Sequence, residues 1–401
     1  MKILQLSTKV PYPPKDGGAA GVFVFSKVLH YLGHSVAILA FNPQKHFVQK
    51  AEYADISSDI NIQAIVVNTN PTWQKALLNL IFGNLPYQVE RFINKDFETA
   101  LINILITQNP DIVQLEGVYL CPYIPAIRKH CKAKIVLRAH NIEHLLWKDI
   151  ACNEKNLVKR LYLNILAQRM KHYEIEQFSR VDGIISFTAE DLRVITSYQS
   201  KQSVKLIPFG VEIQPLIRDK RLNANAIAFI GALDWIPNQE ALTWFVNESW
   251  PRIHQAFPML FFHIAGRNAP AHLVSLLKKQ PNIVFHGEVA DSVKFLQQFS
   301  IMVVPLFSGS GIRVKIIEAM QQGVVVIASA KAVTGIPAKP GIHLLIANTA
   351  DEYLSALTSL LADNELIRKI SENALALIRE NFDILAIGSQ LTDFYKEIRN
   401  D

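Results

Sequence analysis

Cysteine is scarce. The 401 residues hold three, Cys121, Cys131 and Cys152, too few for a disulfide framework and not in a Cys-x-x-Cys spacing, so no metal site is expected. A reducing compartment fits that usage. Long apolar runs are missing too. None approaches the roughly 18–20 residues that span a bilayer. The opening Met1-Lys2-Ile3-Leu4-Gln5-Leu6-Ser7 lacks the apolar centre of a signal peptide and reads as a buried strand. The chain is therefore expected to be cytoplasmic, either soluble or peripheral on the inner face of a membrane. No Gly-x-Gly-x-x-Gly follows the first strand, no Walker lysine motif occurs, and no Asp-x-Asp stands ready for a divalent ion. No cofactor and no nucleic-acid partner are expected.

What is present is ordinary globular material. Half the residues are apolar, 19% are charged and 9% aromatic, which excludes a disordered chain and suggests two or three domains. The net charge of +6 is uneven. Residues 1–208 carry 24 Lys and Arg against 17 Asp and Glu, and residues 209–401 carry 17 against 18. A basic excess on one half suits an anionic partner, such as a membrane surface.

Short apolar, β-branched runs alternate with helical stretches. The strand candidates are Lys2–Ser7, Ser35–Phe41, Ile62–Val67, Ile112–Leu115, Lys134–Ala139, Gly183–Phe187 and Val204–Ile207. The rhythm restarts beyond Pro208, with Ala226–Ile230, Leu260–Ala265, Ile283–His286, Ile301–Val304 and Val324–Ile327. Such alternation builds parallel sheets covered on both faces. The parse is two doubly wound α/β units, 1–208 and 209–383, with an amphipathic helix over 384–401 packing back on the first. In open parallel sheets, ligands bind beyond the carboxyl ends of the strands.

Three segments at such ends carry candidate chemistry. Gly17-Gly18 follows the first strand and precedes a helix predicted from about Ala20 to Leu32; paired glycines let backbone N–H groups approach a phosphate. Arg138-Ala139-His140-Asn141-Ile142-Glu143 closes the strand Lys134–Ala139, and His140 there could bond a sugar hydroxyl or a phosphate. Gly309-Ser310-Gly311-Ile312-Arg313-Val314-Lys315-Ile316-Ile317-Glu318 places a small-residue loop before a helix predicted near Ile312. Arg313 and Lys315 in a first turn oppose the helix dipole, and a bound diphosphate would reverse that sign. Glu318 could accept hydrogen bonds from a ribose diol. Gly231 and Asp234 close the first strand of the second unit. The stretch Lys155–Lys171, with Lys159, Arg160 and Arg169 among Leu157, Leu161, Tyr162, Leu163, Ile165 and Leu166, suits either an anionic membrane or an ordinary surface helix with its apolar stripe in the core.

In this order these pieces resemble glycosyltransferase family 4, particularly bacterial members that build polysaccharides. The likeness rests on Ser308 to Met320 with Gly323-Val324-Val325-Val326, on Asp234-Trp235-x-Pro237-Asn238 after Gly231, on His140-Asn141-Ile142-Glu143, and on Gly17-Gly18 with Leu32-Gly33-His34-Ser35-Val36. It implies the GT-B architecture, two Rossmann-like domains facing across a cleft. It also implies transfer of a sugar from a nucleotide-sugar donor to an acceptor hydroxyl of a saccharide or lipid-linked saccharide, with retention. By that likeness the second unit takes the donor through Gly231, Asp234, Gly309, Ser310, Gly311, Arg313, Lys315 and Glu318, assisted by Gly17 and Gly18. His140 is catalytic, and Arg138, Asn141 and Glu143 lie on the acceptor side. The chain departs from the family pattern in two places: Ser310 stands where the first motif glutamate falls, and Ala232-Leu233-Asp234…Asn238 replaces the usual Arg…Lys-Gly. The diphosphate clamp must therefore be built differently. The alternatives are a nucleotide-sugar epimerase on the same architecture and a catalytically weak, sugar-nucleotide-binding partner subunit.

Overall fold

The computed structural model describes residues 1–14, 17–54, 60–198, 202–213, 225–309 and 312–400. The chain divides into two compact units, Met1–Gly210 with Ile384–Asp401, and Val211–Asp383. The first unit thus ends at Gly210 rather than 208.

The first unit holds a seven-stranded sheet of β1 (Lys2–Ser7), β2 (Ser35–Pro43), β3 (Asn61–Val67), β4 (Ile112–Glu116), β5 (Lys134–Ala139), β6 (Gly183–Ser186) and β7 (Ser203–Leu206). Its order is β3-β2-β1-β4-β5-β6-β7. Every neighbouring pair is parallel. The second unit holds β8 (Ala226–Ile230), β9 (Phe261–Ala265), β10 (Ile283–Gly287), β11 (Ile301–Val304), β12 (Val325–Ala328) and β13 (Leu345–Ile346) in the order β10-β9-β8-β11-β12-β13, again all parallel. Each run read from the sequence forms a strand, with ends shifted by a residue or two. Only the two-residue β13 offers too short a run to read.

The reason is burial. Strands such as Ala226–Ile230 and Ile301–Val304 are buried at every residue, because helices cover both faces of each sheet, and β-branched residues fill that environment well. The order reverses between β1 and β4 in one unit and between β8 and β11 in the other. These are the switch points where a doubly wound sheet opens a crevice at its carboxyl edge.

The last helix, Ile384–Asn400, lies on the first unit. Ile384, Ile387, Leu391, Phe394, Tyr395 and Ile398 share a core cluster with Ile3, Phe25, Val28 and Ile38. Helix Gly17–Tyr31 packs beside it. That helix begins at Gly17 itself, earlier than the predicted Ala20, because its buried face already starts at Ala19 and continues through Val22, Phe23 and Phe25. Gly17 and Gly18 are thus its first two residues rather than part of a loop.

Candidate active site

In the first unit the switch-point residues form a buried ionic network. Glu116 ends β4 and Arg138 sits opposite it in register on β5. Arg138 Nη1 donates to both Glu116 oxygens, at 2.9 and 3.1 Å. His140, one residue past β5, donates from Nε2 to Glu116 Oε2 at 2.7 Å, and the Gln114 amide donates to Oε1. Burial alone would raise the Glu116 carboxyl, but Arg138 and the hydrogen bonds from His140 and Gln114 outweigh it and hold the pKa at about 2. Glu116 is therefore an ionised acceptor, which fixes His140 Nε2 as a donor. The other face of the His140 ring stacks on Phe187, with centroids 5.1 Å apart.

Arg138 does not fit the acceptor side. Only 1% of it is exposed, and its guanidinium lies 4.2 Å from the Phe25 ring centroid and 5.0 Å from that of Phe187. It is a sheet-interior cation that holds Glu116. Glu143 is also buried. Tyr119 donates to it at 2.6 Å and Asn141 at 3.5 Å. Burial pushes its carboxyl up to about 7, with the Glu174 charge adding to that rise. The helix Glu143–Asn153 that follows is already capped. The Glu174 carboxylate accepts from the backbone N–H of Glu143 at 3.0 Å and of His144 at 3.2 Å, and from His144 Nδ1 at 2.6 Å. A carboxylate at this helix start removes it as a phosphate site.

In the second unit, candidates from three segments meet at the carboxyl ends of β8 and β11. The helix after β11 runs Val314–Gln321 and starts later than the predicted Ile312, with Arg313 at its N-cap position. Only Lys315 of the two cations lies in the first turn. No side chain caps this helix and its first turn holds no acid, so its backbone donors and dipole are open to an anion. Arg313 instead folds back, 5.3 Å from the Trp235 ring centroid, with Nη2 donating to the Ser308 carbonyl at 3.4 Å. Gly309 permits this packing. It has φ +95°, and a Cβ there would meet Arg313 Nη2 at 3.0 Å and Trp235 at 3.2 Å. Ser308 Oγ donates to Glu240 at 2.7 Å, tying the loop to the helix after β8.

The Lys315 ammonium donates to Asn238 Oδ1 at 2.8 Å and sits 4.2 Å from the Phe229 ring centroid. No carboxylate among the described residues pairs with it. Burial, then the Arg313 charge beside it, push its pKa down to about 7. Gly231 leaves the room for this arrangement, since a Cβ there would lie 2.9 Å from Lys315 Nζ. The Glu318 carboxylate, on the same helix, accepts no hydrogen bond from the described residues, and burial raises its pKa to about 7. Asp234 accepts from Asn268 at 3.5 Å. Ser310 and Gly311 lie outside the described residues. A cavity of about 760 Å³ opens at the amino ends of β8, β9 and β11, beside Ala226, Leu260 and Ile301. That is the opposite edge of the sheet, and no candidate residue lines it.

A polar cluster at the switch point, with two neighbouring cations at an uncapped helix start, suits an anion. Residues 224–363 match the family model of Glycosyl transferases group 1. The match lies within the second unit and contains every candidate residue there. Across nearly its whole length the chain is 24% identical, over 406 residues covering 97% of it and 98% of the relative, to a Klebsiella pneumoniae protein described as an uncharacterized 44.6 kDa protein in the cps region. Among solved structures, it is similar to Anabaena HepE in complex with UDP and glucose, with a TM-score of 0.69, 14% identity and 99% of each chain covered. It is also similar to a sucrose-phosphate synthase from Thermosynechococcus elongatus, with a TM-score of 0.72, 17% identity and 99% of each covered. The pneumococcal O-GlcNAc transferase GtfA, in complex with UDP and GlcNAc, gives 0.71 at 13% identity, covering 100% of this chain and 99% of that one. The two successive Rossmann-like units are the architecture shared with these proteins, and the second carries the glycosyl transferases group 1 match.

Sequence reasoning missed Glu116 and Glu174, the two carboxylates that organise the first unit's carboxyl edge. Glu116 was legible in principle. An arginine inside the apolar run Ile135-Val136-Leu137-Arg138-Ala139, with a glutamate ending the neighbouring run Ile112-Val113-Gln114-Leu115-Glu116, is the pattern of a cross-strand ion pair.

Proposed function

We propose that this protein is a glycosyltransferase of the family 4 type that moves a sugar from a nucleotide-sugar donor to an acceptor hydroxyl of a saccharide or lipid-linked saccharide. The observation that carries the reading is Lys315. Its ammonium, whose pKa burial and then the Arg313 charge push down to about 7, stands beside a second cation at an uncapped helix start. A diphosphate there pairs with both cations and the helix N–H groups together. Glu318 takes the ribose hydroxyls. The first unit takes the acceptor, and His140, with Nε2 held by Glu116, contacts the transferred sugar.

In this reading the bond from the anomeric carbon to the diphosphate oxygen breaks as the acceptor oxygen bonds to that carbon on the same face. The acceptor's proton passes to the departing diphosphate oxygen, giving retention. Lys315, Arg313 and the helix dipole neutralise the charge that develops on the leaving group, so the step needs no metal. HepE and GtfA are each in complex with UDP, which makes uridine diphosphate sugars the first donors to test. The cps-region relative supports a role in polysaccharide assembly.

The test incubates the protein with uridine, guanosine, adenosine and thymidine diphosphate sugars, with and without a panel of saccharide and lipid-linked saccharide acceptors. Nucleoside diphosphate release is followed alongside mass analysis of the products. Release that requires an acceptor, with one sugar added to it, supports transfer. A rearranged donor sugar without acceptor shows an epimerase instead. Binding of no nucleoside diphosphate at all sinks both.

A further inference from the structure

Two helices of the first unit leave apolar side chains in solvent. Helix Leu157–Phe178 is apolar on opposite faces. Leu163, Leu166, Ala167 and Met170 are buried, whereas Leu157 is 78% exposed, Val158 80%, Leu161 64% and Ile165 37%. At 100° per residue those four fall within about one quadrant of the helix. Helix Trp73–Phe82 also leaves apolar side chains in solvent, over about half its circumference, with Trp73 at 74%, Ile81 at 61% and Phe82 at 77%. The two helices are fastened together. Arg169 donates to the carbonyl of Asn79 at 2.9 Å and of Leu80 at 2.8 Å, and Ala76 packs in a cluster with Leu163 and Leu166. Two helices fastened together that both leave large apolar side chains in solvent mark an interaction site.

Charge selects the occupant. Residues 155–173 contain Lys155, Lys159, Arg160, Arg169 and Lys171 and no acid. Lys159 pairs with Glu154 just before this stretch and Arg169 is held by helix Trp73–Phe82, which leaves Lys155, Arg160 and Lys171. Residues 68–89 contain Lys75 and no acid. A second copy docked by two-fold symmetry would set this basic set against itself. No described helix is long and apolar enough to cross a membrane. Aromatic and aliphatic tips beside exposed lysine and arginine suit the headgroup level of an anionic bilayer, where the apolar side chains enter and the cations meet lipid phosphates.

We propose that the exposed faces of helices Trp73–Phe82 and Leu157–Phe178 together seat this protein on an anionic lipid bilayer. The proposal is independent of the transfer reaction, since a chain that turned over no sugar would still bind lipid through this face.

The experiment is co-sedimentation of the full chain with phosphatidylglycerol/phosphatidylcholine vesicles and with pure phosphatidylcholine vesicles, at low and high salt. It is run for the parent, for Trp73→Ser with Phe82→Ser, and for Lys155→Gln with Arg160→Gln. All four positions are exposed, so thermal unfolding midpoints should match the parent. The parent should bind anionic vesicles at low salt and release at high salt. Each double variant should partition roughly tenfold less or weaker still. Equal binding to both vesicle types, no binding to either, or unchanged binding in both variants would overturn the proposal. So would a parent dimer in light scattering that Trp73→Ser with Phe82→Ser converts to monomer, because the face would then belong to a second copy.

Discussion

The Lys315 ammonium is aimed by Asn238. It donates to Asn238 Oδ1 at 2.8 Å, while the same amide donates from Nδ2 to the Ala232 carbonyl at 2.7 Å. A residue on the helix after β8 thus fixes a cation on the helix after β11, across the switch point of the sheet.

Gly231→Ala tests that geometry. The added Cβ would lie 2.9 Å from both Lys315 Nζ and Asn238 Nδ2. Both are side-chain ends, so the fold yields locally and loses about 1 kcal/mol or less, while the ammonium moves off its aim. Nucleoside diphosphate affinity should fall about tenfold or more, since charge-assisted contacts depend on placement. Calorimetric titration beside a urea melt reads both quantities. An unaltered affinity would show that this lysine does not meet the ligand.

Glu116→Gln should be costly to the fold. It leaves Arg138, 1% exposed, without its carboxylate, and breaking a buried pair in this way costs about 3–5 kcal/mol. His140→Ala removes only a partly exposed partner and should cost less, about 1–2 kcal/mol. Because folding depresses the Glu116 pKa to about 2, its contribution is complete above the ordinary carboxylate range and is lost as pH falls toward 2. Urea melts of parent and variant should therefore differ at pH 7 and converge in acid. A constant difference across that range would refute the ion pair.

The sheets were legible because their strands are buried on both faces, and a continuous apolar run needs no partner to be recognised. The role of Arg138 was not. Its place at the end of a strand suggested a ligand, whereas its register against Glu116, 22 positions away, is a tertiary fact. Arg313 shows the same limit. Counting residues puts it in the first turn of a helix predicted near Ile312, whereas it takes the N-cap position with its side chain against Trp235, and the helix starts at Val314.

Lys315→Met and Glu318→Gln should change stability with opposite pH dependence. Folding lowers the Lys315 pKa from 10.5 to about 7. The penalty for the buried ammonium is therefore full below pH 7 and fades as pH rises toward 10.5. Folding raises the Glu318 pKa from 4.5 to about 7. That penalty is absent below 4.5 and full above 7. The methionine variant should thus exceed the parent most below pH 7, and the advantage of the glutamine variant should grow from about pH 4.5 to a plateau above about pH 7. Denaturant melts at pH 5, 6, 8 and 9 distinguish them. Parallel curves would mean that neither group is desolvated in the empty protein.

Proton uptake should accompany diphosphate binding. In the empty protein at pH 8 most Lys315 is neutral, because its pKa is about 7. An anion beside it raises that pKa, so binding draws in nearly one proton, and affinity should fall by up to about tenfold per pH unit above 7. Glu318 works the other way. Ribose hydroxyls that donate to its carboxylate favour the ionised form, so a nucleoside diphosphate should release a proton from it near pH 6, and pyrophosphate should not. Titration in two buffers of different ionisation enthalpy counts these protons. The parent should take up close to one with pyrophosphate at pH 8, and Lys315→Ala none, with affinity weakened tens-fold, about 2 kcal/mol or more for a desolvated charged contact. Glu318→Gln should keep the uptake with pyrophosphate and lose the release with uridine diphosphate at pH 6. If Lys315→Ala binds pyrophosphate like the parent and the proton count is unchanged, the phosphates lie away from this helix start and the assignment of the donor site falls.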